Sequence, residues 1–320
     1  MNFIYCIDDN YNIQCNVSVY SLLQNTKNNV NVYVLHKTQT DKSFFNKKVL
    51  NHKNLNNITV YKFNTEIKEF PNLINSHVSE ATYYRLFIDN YLPNNIEELI
   101  YVDADVVCIN SFDSEAEKIF EELKNKSLIV SAKTEILKDD TSIKLFNNLE
   151  MKNETYFNAG VLFIDYQKWT NQNVQSKLIN NFYKYHGNLQ FWDQDILNSY
   201  FDGSYLELSQ KLNKVTNLYY GCDNDIKETK KEFFNNFLIH YAGKHKPWTL
   251  VGILSFMSEV YQEVYFKLYK VRYHIQIKNR LNNIKILKYA IKDKSLFKKN
   301  KLLVLLFRVF TQFLKPKKNS

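Results

Sequence analysis

The chain opens on short apolar runs set between stretches of mixed polarity. Phe3 to Ile7 is continuously apolar and predicts a strand, and Ile13 to Leu23 then places apolar residues at helical spacing. Asn31 to Leu35 predicts a second strand, Lys42 to Leu50 a second helix and Ile58 to Phe63 a third strand. Leu99 to Val102, Leu128 to Val130 and Val161 to Ile164 continue the series, the last followed by a helical stretch beginning near Tyr166. Short strands alternating with helices predict βαβ units and an α/β fold around a mostly parallel sheet. Ligands in such folds bind beyond the carboxyl ends of the strands, so polar residues directly after predicted strands are the candidates for chemistry.

Composition narrows the class. At 320 residues the chain is about twice the usual length of one domain, which predicts one large domain with an appendage, or two domains. Apolar residues at 45 % and charged residues at 23 % exclude a wholly disordered or fibrous chain. The 23 Tyr and 23 Phe supply ample bulk for a core. Four scattered cysteines (Cys6, Cys15, Cys108, Cys222) form no C-x-x-C pair, so free thiols in a reducing compartment are expected. The start, MNFIYCIDDN, has no basic stretch and its apolar run stops at Asp8, which does not resemble a signal peptide. A cytoplasmic protein is expected.

The net charge of +9 is unevenly placed. Residues 267–320 hold 16 Lys and Arg against one acid, Asp293, and so carry +15, which leaves the rest of the chain at −6. A basic tail on an acidic body is a localised interaction device, and no nucleic-acid partner is expected. The tail interleaves its cations with Ile284, Leu287, Tyr289 and Ile291, then with the run from Leu302 to Leu314, which contains Arg308. A spanning helix needs roughly 20 apolar residues, and this run is too short and too charged. The pattern fits a helix lying on an anionic membrane surface, or one docked on the body with a solvated basic face. The predicted division is a catalytic domain over 1–250 and a helical basic region over 251–320.

Three strand ends carry the candidate chemistry. After the first come Asp8-Asp9-Asn10-Tyr11, with no G-x-G-x-x-G to cradle a dinucleotide. Such residues can hydrogen-bond a base and ribose, or simply cap a helix. After Leu99-Ile-Tyr-Val come Asp103-Ala104-Asp105 and two further valines. Of the three D-x-D pairs in the chain, this one alone enters and leaves a core, where two carboxylates without a partner would cost several kcal/mol. A divalent cation supplies that partner. His240 ends the apolar run Phe237-Leu-Ile and precedes Gly243 and Lys246, a close-approach position and a phosphate-binding cation. One imidazole with two carboxylates makes a mixed N/O site suited to Mn²⁺ or Mg²⁺. Elsewhere, His77, Thr82 and Arg85 lie near a predicted helix, Asn158-Ala-Gly160 enters a strand, and Asp193-Gln194-Asp195 opens a helical stretch.

Together these segments resemble a known family. The order of the Asp8 start, H-x-x-x-x-T-Y-x-R, L-I-Y-V-D-A-D-V, Y-F-N-A-G-V-L-x-I-D, D-Q-D-I-L-N and H-Y-x-G-x-x-K-P-W is similar to that of glycosyltransferase family 8, which contains glycogenin and the bacterial lipopolysaccharide galactosyl- and glucosyltransferases, with the bacterial branch the nearer likeness. The likeness runs from Ile4 to about Trp248, roughly three quarters of the chain. It implies a GT-A fold and Mn²⁺-dependent, retaining transfer of a hexose, galactose or glucose, from a UDP-sugar to a glycan acceptor of a cell-surface polysaccharide, lipooligosaccharide or glycoprotein. It also implies attachment to the inner face of the cytoplasmic membrane through the tail. Asp8, Asn10 and Tyr11 would then meet uridine, and Asp103, Ala104 and Asp105 the ribose and metal, with His240 as third metal ligand. Gly243 and Lys246 would contact the diphosphate, and His77, Arg85, Asn158 and Asp193 the donor nucleotide and sugar. Gln194 would lie against the anomeric carbon, stabilising the oxocarbenium-like state. Where bacterial relatives carry an Asp after the strand before the active-site loop, this chain reads Val130-Ser-Ala-Lys133-Thr134-Glu135, so either Lys133 stands there or Glu135 substitutes. The rival readings are a catalytically silent nucleotide-sugar-binding protein and a nucleotidyltransferase, whose Gly-rich basic loop is missing after the first strand.

Overall fold

A computed structural model describes residues 1–67, 70, 79–219, 230–277, 280–292, 294–298 and 302–314. Among them the larger sheet takes β1 (Asn2–Ile7), β2 (Val30–His36), β3 (Leu55–Lys62), β4 (Glu98–Val102), β6 (Val130–Thr134), β7 (Phe157–Asp165) and β8 (Leu206–Glu207). Its strand order is β3-β2-β1-β4-β7-β6-β8. A second sheet joins β5 (Val106–Cys108), β10 (Leu238–His240) and β9 (Lys214–Val215), in that order.

Every neighbour pair in the larger sheet is parallel except those of β7, which runs against both β4 and β6. That reversal brings the amino end of β7, Phe157 to Gly160, to the edge where β1, β4 and β6 end. The polar residues following three strands and those opening a fourth therefore meet at one edge.

Both faces of the sheet are covered, which is why its strands read as continuous apolar runs. Phe3, Tyr5 and Ile7 enter one core with the helices Asn12–Asn25, Asp113–Asn125 and Glu259–Tyr269, while Ile4 enters another. The second core includes the 3₁₀ segment Glu80–Asn90 and the helices Val174–Tyr185 and Asp193–Phe201. A third, smaller core gathers Leu250, Ile253, Leu254, Ile275, Ala290, Leu296, Leu305 and Val309. It joins the helices Leu250–Leu254, Arg280–Lys292 and Leu302–Leu314. No helix among the described residues is long and apolar enough to cross a membrane.

Two local expectations are corrected. The helix expected over Lys42–Leu50 is two pieces, Lys42–Phe44 and Lys47–Leu50, because Asn46 caps a new start by accepting from the Lys48 N–H. The strand expected over Leu128–Val130 begins at Val130. Leu128 instead closes the preceding helix, donating its N–H to the Leu123 carbonyl after Ser127 turns at φ 53°.

Candidate active site

At the shared edge β4 hands over to β5 through Asp103, Ala104 and Asp105. The turn is closed by the Val106 N–H on the Asp103 carbonyl at 3.0 Å, and the Asp103 N–H donates to Gly160 O on β7 at 2.9 Å. β10 pairs antiparallel with β5, setting His240 opposite Val106, and the Tyr241 N–H reaches Asp105 O at 3.1 Å. Backbone pairing thus delivers the imidazole to the two carboxylates. One ligand atom from each of Asp103, Asp105 and His240 lies within 4.8 Å of the others.

Their hydrogen bonds leave one oxygen of each carboxylate turned toward the imidazole. Asp103 Oδ1 accepts from Tyr101 Oη at 2.6 Å and Arg85 Nη2 at 3.0 Å, while its Oδ2 lies 3.8 Å from His240 Nε2. Asp105 Oδ2 holds Lys246 Nζ at 2.6 Å. Its Oδ1 is buried, has no hydrogen-bond partner among the described residues, and stands 3.5 Å from His240 Nε2. Burial pushes the Asp105 carboxyl upward, but Lys246 and His240 outweigh it and hold it below the usual range. An orphaned, ionised oxygen beside a second carboxylate and an imidazole fits a divalent cation. Gly160 makes room for the ring, since a Cβ there would lie 2.1 Å from His240 Cε1.

The group opens on a cavity of about 430 Å³ that Asp8 and Tyr11 line at one end and Gln194 and Glu135 at another. Lys246 also donates to the Tyr241 carbonyl at 2.8 Å, and Gly243 takes φ +78°, a conformation that side chains resist. Arg85 lies 6 % exposed over the Tyr101 ring and pairs with Asp103 and, at 2.6 Å, with Asp193. Thr82 donates to the other Asp193 oxygen at 2.5 Å. Burial nevertheless raises the Asp193 carboxyl to about 6 against the pull of Arg85.

A mostly parallel α/β sheet with acidic residues, imidazole and lysine gathered at its carboxyl edge is matched as a whole: residues 2–252 fit the model of glycosyl transferase family 8. The chain belongs to that family. A lipopolysaccharide 1,2-glucosyltransferase of Escherichia coli is 29 % identical over 268 residues, covering 77 % of this chain and 73 % of the relative. A lipopolysaccharide 1,3-galactosyltransferase of Salmonella typhimurium is 27 % identical, covering 77 % and 72 %. The galactosyltransferase LgtC, solved with donor and acceptor sugar analogs, superposes with a TM-score of 0.66 at 20 % identity over 88 % of this chain and 99 % of that one. The fold of this family 8 chain is therefore the GT-A type.

Within this family 8 fold, Asp8, Tyr11, Arg85, Asp103, Ala104, Asp105, Asn158, Asp193, Gln194, His240, Gly243 and Lys246 all line the one cavity. Asn10 is exposed beside it, its N–H and side chain bonded to Asp8. His77 lies outside the described residues. Asp195, two residues from Asp193, turns away: it accepts from Tyr156 Oη and from the N–H groups of Gln190 and Phe191, and so braces the loop that presents Gln194.

Lys133 and Glu135 are placed differently. Lys133 pairs with Glu207 on β8 at 2.5 Å and does not line the cavity, whereas Glu135 does. Glu135 Oε2 accepts from Asn158 Nδ2 and Gln194 Nε2, both at 3.3 Å. Gln194 Oε1 accepts from the Ala159 N–H at 2.9 Å, so both ends of that amide are held. Asn213, buried behind His240, follows no predicted strand and belongs to no motif, so no sequence signal marks it. Trp192 lines the cavity at φ 54°, a strained backbone no sequence signal announces.

Proposed function

We propose that this chain transfers a hexose, galactose or glucose, from a UDP-sugar to the glycan of a cell-surface polysaccharide or lipooligosaccharide, with retention of configuration and with Mn²⁺ or Mg²⁺ as cofactor. The observation that carries the reading is Asp103, Asp105 and His240 converging beside Lys246 in the cavity that Gln194 also lines. The lipopolysaccharide gluco- and galactosyltransferases among its relatives support the sugar class and the acceptor class.

Each residue's part follows from its chemistry. Asp8 and Tyr11 line the end of the cavity suited to a nucleoside. Lys246 and the backbone at Gly243 hold the diphosphate. Asp103, Asp105 and His240 would hold a divalent cation, which would supply positive charge against the departing nucleotide. Asn158, Asp193 and Glu135 offer hydrogen bonds to sugar hydroxyls. Gln194 carries an amide, which is too weak a base to take a proton, so its part is electrostatic. The acceptor proton then passes to the leaving diphosphate.

The protein works on the inner face of the cytoplasmic membrane. Supporting this, Lys285, Lys288 and Lys292 are exposed alongside Ile284, Tyr289 and Ile291 on one helix of the tail.

Hydrolysis of a panel of UDP-sugars, followed by UDP release with Mn²⁺, Mg²⁺ or a chelator, tests the activity. UDP-galactose or UDP-glucose should be cleaved in a metal-dependent manner. Metal-linked UDP binding without turnover of any donor would instead favour a silent nucleotide-sugar-binding protein.

A further inference from the structure

Hydrogen-bond logic behind the metal-binding group assigns a proton. The Gly160 N–H is an unambiguous donor and points at the Asn158 side chain at 3.0 Å, so the atom it meets is the Asn158 oxygen. That same oxygen faces the Asn213 side chain at 3.0 Å, which must therefore present its nitrogen. Asn213's other atom is then its oxygen, and it lies 3.0 Å from His240 Nδ1. An oxygen acceptor there requires that Nδ1 carry the hydrogen. Any metal-ligating, singly protonated form of the ring must then bare its lone pair on Nε2, which faces Asp103 and Asp105 at 3.8 and 3.5 Å, too far for a hydrogen bond and well placed for a shared cation.

We propose that Asn213 is a positioning residue that holds His240 in the Nδ1–H tautomer and so prepares Nε2 to ligate metal. The proposal rests on the metal-dependent reading above. Asn213 is 1 % exposed and does not line the cavity, its side chain instead bonding Asn158 and His240, which do, and this separates it from the residues that meet substrate. It also ties the metal side to the sugar side, because the Asn158 amide it orients turns its nitrogen toward Glu135.

Two variants of the full chain test this. Asn213→Leu keeps the volume and removes the acceptor; Asn213→Asp keeps an oxygen for the Nδ1 hydrogen. Mn²⁺ binding in the presence of UDP, followed by the electron paramagnetic resonance of the free ion, should weaken about 10- to 100-fold in Asn213→Leu. It should return to within about threefold of wild type in Asn213→Asp. The ¹⁵N imidazole spectrum of metal-free protein should show His240 protonated on Nδ1 in wild type and Asn213→Asp, and on Nε2 in Asn213→Leu. Wild-type metal affinity and tautomer in a folded Asn213→Leu protein would overturn the proposal. If wild type takes up no Mn²⁺, the metal reading itself fails, and the imidazole spectrum still decides whether Asn213 sets the tautomer.

Discussion

In the cavity Asp105, Arg85, Asp193 and His240 are each no more than 7 % exposed, whereas on the Leu302–Leu314 helix Leu303 is 81 %, Phe307 64 % and Phe310 60 % exposed. The first region buries charge and the second displays apolar surface, each against the usual preference. Charge is tolerated inside because nearly every atom has a partner: Arg85 alone serves Asp103, Asp193 and the Ala159 carbonyl. One oxygen of Asp105 stands outside that network, with no hydrogen-bond partner among the described residues. On the tail helix Leu305 and Val309 dock into the third core while Leu303, Phe307 and Phe310 point the other way. The two regions leave different surfaces unmatched within the chain, an ionised oxygen inside and an apolar face outside.

The largest effect should come from the inner region. Asp105→Asn preserves volume and the contact with Lys246 but removes the ionised orphan. Turnover should fall on the order of 10³-fold, the scale of losing a preorganised electrostatic contact. UDP affinity measured by calorimetry should drop with metal present and stay unchanged in chelator. An equal loss under both conditions would mean that Asp105 supports the fold and not the cation.

The outer region should respond to the opposite chemistry. Replacing Leu303, Phe307 and Phe310 together by Ser should lower partitioning onto anionic vesicles by about 10²-fold, since burying each such side chain is worth roughly 1.5–3 kcal/mol and immersion at a surface is partial. Donor hydrolysis in solution should be unaffected. Unaltered vesicle binding would erase the contrast and leave the exposed face without a membrane role.

These two regions were not equally legible in the sequence. Asp103 and Asp105 stood out because an apolar run led into and out of them, and His240 because it ended another. The tail was legible from its charge segregation. What stayed hidden depends on pairing across the fold. Nothing local states that β7 runs against its neighbours, yet that reversal is what carries Asn158 and Gly160 to Asp103, Asp105 and His240. Asp193 and Asp195 read alike, but one faces Arg85 and the other its own loop. Asn213 gains meaning through His240, 27 residues later.

Acidity separates the regions on a smaller scale. Burial raises Asp193 to about 6, so between its unfolded value of 3.8 and 6 the folded state holds the proton more tightly than the unfolded chain. This group's contribution to stability therefore falls as pH rises through that window and is flat above it. Ionised Asp193 is the form that pairs with Arg85, so kcat/KM for donor hydrolysis should decline about tenfold per pH unit below 6. Vesicle binding should be level from pH 5 to 8, because the tail's charge comes from Lys and Arg. A flat hydrolysis profile down to pH 4.5 would remove Asp193 from the working site.

The smallest change is expected at Lys133, where the bacterial likeness leads one to look for an acid. Its ammonium lies on β8's side of the sheet edge with Glu207, which is half exposed, and such pairs are worth about 0–1 kcal/mol. Lys133→Ala should leave donor hydrolysis within about twofold of wild type. Glu135→Ala, two residues on, frees the amides of both Gln194 and Asn158 and should raise KM for the donor about tenfold, the scale of one charge-assisted hydrogen bond. Lys133 pairs with Glu207 and Glu135 lines the cavity, so steady-state kinetics on the pair decides which carries the acid's part. A larger loss from Lys133→Ala than from Glu135→Ala would show that Lys133 swings inward when donor binds and that the sugar-side wall of the cavity is basic.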